Sequence, residues 1–121
     1  MNNKGFTLIE LLATVIILGI LVTITTISVT KYIDKAKTAS YNHLVVSINE
    51  AAELYVTDNS GLFPVLLVPS STFDITLQQL VDNDYLKDHI TDPRDDSVIP
   101  LTTTVTITVV SLTKITTTFN Y

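Results

Sequence analysis

Three sets of residues in this chain have the types and spacing to do chemistry. The first is a lone carboxylate, Glu10, set a few residues inside an apolar run that starts at Phe6 and ends near Val29. A carboxylate in a lipid-compatible helix costs about 2.5–3.5 kcal/mol on insertion scales unless a positive group meets it, so its chemistry is charge pairing. The second is a run of aspartates, Asp82, Asp84, Asp88, Asp92, Asp95 and Asp96, whose oxygens are of the kind calcium binds. The EF-hand order of aspartates, central Gly and final Glu is missing, so the run reads as a solvated acidic loop. Asp92, Asp95 and Asp96 are the residues that would hold an ion there. The third set is His43 and His89, each without a second ligand at metal spacing and each read as a surface residue. No Ser-His-Asp arrangement, Gly-rich phosphate loop or poised carboxylate pair can be picked out, so the chain does not read as an enzyme and needs no cofactor.

The elements that must position these residues are limited by composition. A chain of 121 residues, 46% of them hydrophobic, has room for one small domain and an anchor. It has no cysteine, which removes disulfides, thiolate metal sites and a cysteine nucleophile. A net charge of −5 argues against direct nucleic-acid binding, which Lys and Arg drive by releasing phosphate counterions. The charge is unevenly spread. Lys31, Lys35 and Lys37 balance Asp34, Glu50 and Glu53, whereas from Asp58 onward eight aspartates face only Lys87, Arg94 and Lys114.

A stretch of about 20 apolar residues is long enough to cross a bilayer as a helix. A secretory signal peptide would have a shorter apolar core followed by a small-residue cleavage site. Here the small residue, Gly5, stands in front, behind the polar leader Met-Asn-Asn-Lys. Lys4 favours a cytoplasmic amino terminus and the lysines at 31, 35 and 37 favour the opposite, so loop charge leaves the orientation open.

The run Gly5-Phe6-Thr7-Leu8-Ile9-Glu10, continued by Leu11-Leu12 and Ile17-Leu18-Gly19-Ile20-Leu21, resembles the signature of type IV pilins and pseudopilins. The resemblance implies a leader, residues 1–5, removed by a prepilin peptidase between Gly5 and Phe6, with N-methylation of Phe6. It also implies that Glu10 pairs with the mature amino terminus of a neighbouring subunit during assembly. The implied partners are further copies in a homo-polymer or mixed filament, the peptidase, a platform membrane protein and an assembly ATPase. The precursor would be a single-pass membrane protein and the product an extracellular or envelope-spanning filament, as a pilus or as a secretion or competence pseudopilus. Some pseudopilins hold calcium in the region matching the acidic loop. The implied charge pairing has its own rationale: cleavage creates an α-amine that stays cationic near neutral pH, and a paired buried carboxylate avoids the penalty of an unpaired one. The alternative is a signal-anchored surface binding protein that never polymerises, with Glu10 near the interface.

The expected fold is α+β and pilin-like: a long N-terminal helix, half membrane and half amphipathic, with a small antiparallel sheet packed on it. Residues 6–29 form the membrane or filament-core half. Residues 30–57 continue the helix with Tyr41, Leu44, Ile48, Ala51 and Tyr55 at three- and four-residue spacing. Ile27 stands where many family members have a helix-kinking proline, leaving Gly19 and the threonines at 23, 25 and 26 as the weak points. Asn59 or Gly61 would end the helix in a left-handed cap.

Residues 58–121 would form the head. Leu62–Pro69, bracketed by prolines, reads as an extended connection over the helix. Thr76-x-x-Gln79 has capping-box spacing and predicts a short helix over 77–81 with Leu86 beside it. Period-two alternation predicts two strands, near 103–110 and 114–121, joined through Ser111–Lys114.

Overall fold

The computed structural model describes residues 5–121, the side chains of residues 25–27 aside. The leader residues before Gly5 and the side chains of Thr25, Thr26 and Ile27 lie outside the described residues. Helix α1 spans Leu8–Asp58, 51 residues without a break. No proline within it removes a backbone donor. The chain divides into two units, Met1–Ala36 and Lys37–Tyr121.

In the first unit every described large apolar side chain is exposed, among them Leu11, Ile16, Ile20 and Val29. This is a helix long and apolar enough to cross a membrane. Two of its threonines bond inward: the hydroxyls of Thr14 and Thr23 donate to the carbonyls of Glu10 (2.8 Å) and Gly19 (2.7 Å). Such back-bonding leaves few polar hydrogens for an apolar solvent to accommodate.

In the second unit the same residue types are buried. Ile48, Ala52 and Val56 follow one another at four-residue spacing on α1 and are fully buried with Tyr55 close behind. They meet Ile75, Leu77, Leu80, Ile90, Ile99, Val105 and Ile107 in one core. Leu86 packs against its edge. The head therefore takes in the last turns of α1 as one wall of its own core.

The sheet has three antiparallel strands in the order β1-β2-β3: Thr72–Thr76, Thr104–Ser111 and Lys114–Phe119. Alternation predicts β2 and β3 well, because Val105, Ile107 and Val109 point into the core while the threonines between them do not. Strand β1 corrects the two-stranded expectation. It too alternates, with Ile75 buried and Phe73 half-buried, and pairs Asp74 with Thr106 of β2. Asp74, a poor strand former, is held by the Thr106 hydroxyl at 2.6 Å. The β2–β3 pairing is irregular between Val109 and Ser111, a bulge that lets the strands turn through Leu112 and Thr113.

Two further expectations need correction. The 62–69 segment is not extended: 3₁₀ turns form at Ser60–Leu62 and Pro64–Leu67. The ring of Pro64 fixes φ near the helical value, and the missing N–H costs nothing in a first turn. The turns seat Phe63 edge-on to Tyr55 (5.8 Å between ring centroids) and stacked on Phe73 (5.1 Å). Nor does α1 end in a left-handed cap, since no described glycine has positive φ and Asn59 has φ −112°. Instead the Asn59 amide and side-chain Nδ2 both donate to the Tyr55 carbonyl, at 3.0 and 2.9 Å.

Helix α2, Leu77–Asp82, follows β1 directly. Its capping box is complete: the Gln79 amide donates to Thr76 Oγ1 (3.3 Å) and the Thr76 amide to Gln79 Oε1 (3.0 Å). The amides of Leu77 and Gln78 are taken by the carbonyls of Thr103 and Leu101, so the open end of the helix is satisfied by the segment entering β2.

Candidate functional site

Gly5, Phe6 and Thr7 precede α1, and Phe6 is 91% exposed. A Cβ built on Gly5 would meet nothing within 4 Å, and its φ is not positive. Neither space nor backbone conformation in this chain therefore demands glycine at position 5.

Glu10 stands in the first turn of α1, where the helix dipole favours a carboxylate. Its Oε2 accepts from the Thr7 amide at 2.9 Å, and its own amide donates to Thr7 Oγ1 at 3.2 Å. This is a second capping box, Thr7-x-x-Glu10, with the same spacing as Thr76-x-x-Gln79. The amide satisfies a hydrogen bond but does not neutralise the charge. Among the described residues no cationic side chain pairs with Glu10, and its carboxylate is oriented by the Thr7 amide.

The acidic loop is organised differently. Asp92 is 2% exposed. Its Oδ1 accepts from Arg94 Nε (3.0 Å) and the Arg94 amide (2.9 Å), and its Oδ2 from Arg94 Nη2 (2.6 Å) and Nε (3.1 Å). The guanidinium fork holds the Asp92 carboxyl below the usual carboxylate range and is itself raised by the pair. Arg94 also lies over the Tyr41 ring of α1, Cζ 3.6 Å from its centroid, and its carbonyl accepts from Lys37 Nζ at 3.4 Å. Asp95 Oδ1 accepts from the Ser97 hydroxyl (2.6 Å) and amide (3.0 Å), which lowers its pKa. Asp96 adopts a left-handed conformation, φ 60°, that brings its amide to the Asp92 carbonyl at 2.8 Å.

The three predicted ligands thus share a loop, but the carboxylate of Asp92 turns to Arg94 and that of Asp95 to Ser97, while Asp96 bonds through its amide. Among the described residues no three His, Cys, Asp or Glu side chains gather as a metal site. His89 lies 3.8 Å from Asp88, both exposed, and His43 is exposed on α1. A groove of about 550 Å³ is lined by Glu53, Val56 and Leu66 on one side and Leu112, Lys114 and Ile115 on the other. At the top of α1, the Tyr85 hydroxyl donates to Asp58 Oδ2 at 2.9 Å, and that bond to a carboxylate raises the phenol's pKa.

A family model described as the prokaryotic N-terminal methylation motif matches residues 1–26, which include Gly5, Phe6 and Glu10. No curated protein and no solved structure matches the chain.

Proposed function

We propose that this chain, which carries the type IV pilin methylation signature over residues 1–26, matures from a membrane-anchored precursor into a structural subunit of a pilus-like or pseudopilus filament. The observation that carries this reading is the first unit of α1, where large apolar side chains are exposed all round the helix. A helix apolar on every side is stable in lipid or among other helices, not in water. Before assembly the bilayer would cover it, and afterwards other copies would.

Prepilin peptidase would cut between Gly5 and Phe6 and methylate Phe6. The bareness of Gly5 fits a site read by an enzyme that needs close backbone approach. The new amine stays cationic, and Glu10, already oriented by Thr7, is one residue type that can meet it. Pairing with the amine of a neighbour would remove the charge penalty on both subunits and set their register. The chain's role is then structural rather than catalytic, and it depends on a platform membrane protein and an assembly ATPase for polymerisation.

Mass spectrometry of the protein from cells with their own peptidase is expected to find a mature chain beginning at methylated Phe6. A mature chain beginning at Met1 or Asn2 would overturn the processing step. Shearing should release filaments of many copies, whereas retention of every copy with membranes would favour an anchored surface binding protein.

A further inference from the structure

We infer that the acidic loop carries its own cation: Arg94 occupies the place where a bound divalent ion would neutralise Asp92, so the head folds at this loop independently of calcium. This stands apart from the filament reading, since it concerns the second unit alone.

Pseudopilin resemblance brings calcium to this loop, and the donor set tests the fit. Calcium binds through six to eight oxygens and needs carboxylates whose lone pairs converge on open space. Asp92 offers none, because both its oxygens face N–H groups of Arg94 at 2.6–3.1 Å and the residue is almost wholly buried. An ion approaching Asp92 would meet a guanidinium already in contact with it. Asp95 has committed Oδ1 to Ser97, and Asp96 contributes its amide rather than its carboxylate to the loop's bonding. The residues present do not fit the ion.

What they fit is a clasp. The loop closes through the amide of Asp92 on the Ser97 carbonyl (2.8 Å), that of Asp96 on the Asp92 carbonyl (2.8 Å) and that of Ile99 on the Ile90 carbonyl (2.9 Å). Thr91 and Val98 form a bridge across it. Ile90 and Ile99 anchor both ends in the core. The guanidinium then joins the loop to α1, lying over Tyr41 while Lys37 reaches the Arg94 carbonyl. Arginine suits this role because its planar fork binds a carboxylate with two N–H groups and can stack on an aromatic face at the same time.

The test is hydrogen exchange of the full chain in detergent, read at the amides of Asp92, Asp96 and Ile99 with calcium or with a chelator. Equal protection in both conditions is expected. Added protection in calcium, or calcium retained at one ion per chain after dialysis, would overturn the inference. Arg94→Met should lose protection at these amides in both conditions, and unchanged protection would likewise count against it. If Arg94→Met fails to fold, the double variant Asp92→Asn with Arg94→Met decides. That variant removes the clasp without leaving an unpaired buried charge, so the amides of Asp92, Asp96 and Ile99 should still lose protection in both conditions, and wild-type protection would show that the ion pair is not what holds the loop.

Discussion

Ile16 and Ile48 lie on the same helix, and one is 53% exposed while the other is fully buried. The contrast extends to their surroundings. Ile48 belongs to a core closed by residues from α1, α2, all three strands or their flanks, whereas Ile16 has only its own helix around it. The hydrophobic effect acts alike on both, so the second unit is complete within the chain and the first is completed by whatever replaces water around it. The charged groups repeat the lesson. Asp92 finds its counter-charge two residues away, while among the described residues Glu10 finds only an amide.

The largest expected effect separates these two carboxylates' roles. Gln serves as well as Glu in a capping box, as Gln79 does in α2, so Glu10→Gln should keep the start of α1. It loses the charge. Processing after Gly5 should continue and incorporation into sheared filaments should largely cease. Normal incorporation of Glu10→Gln would mean that Glu10 acts as a helix cap and not as a registering charge.

Core truncation sharpens the contrast next. Ile107→Ala should destabilise the head by about 2–5 kcal/mol, because a fully buried isoleucine leaves a cavity between sheet and helix. Ile16→Ala should leave head unfolding, followed in denaturant by tyrosine fluorescence, within about 0.5 kcal/mol of wild type. An equal effect of the two would deny the separation between them.

Much of this was readable in the sequence because the signals are local. Spacings of three and four give α1, Thr76-x-x-Gln79 gives the start of α2, and alternation gives β2 and β3. Strand β1 was hidden by Asp74, whose strand-forming deficit is offset only by Thr106 across the sheet. The prolines at 64 and 69 mark a break from regular helix without distinguishing an extended path from 3₁₀ turns; Phe63 packing on Tyr55 and Phe73 makes that choice. The Asp92–Arg94 pair is close in sequence, but what fixes it is Tyr41, far back on α1. Thr7 and Glu10 had a readable spacing that the charge of Glu10 overshadowed.

Acid should test the clasp without mutation. The folded-state pKa of Asp92 is depressed by Arg94 and that of Asp95 by Ser97. Each therefore adds stability that is present above the ordinary carboxylate range and is lost as pH falls through the depressed value. Head stability should drop on acidification below that range, and Asp92→Asn with Arg94→Met should flatten the drop. At the alkaline end Tyr85 has the opposite sign: its raised pKa adds stability that is lost as pH rises through the folded value.

The smallest effect compares the two capping boxes. Thr76→Ala removes the acceptor for the Gln79 amide and should cost the head about 1 kcal/mol, seen as a shift in its denaturant midpoint. Its neighbour Leu77 is fully buried, so the loss is transmitted to the core. Thr7→Ala removes the equivalent acceptor at Glu10, but α1 continues for many turns beyond it and the head does not include that end. Its denaturant midpoint should therefore match wild type. The change should appear instead as fraying of the first turn, read by hydrogen exchange at Glu10 and Leu11 in detergent. A head destabilised as much by Thr7→Ala as by Thr76→Ala would show that the two units unfold as one.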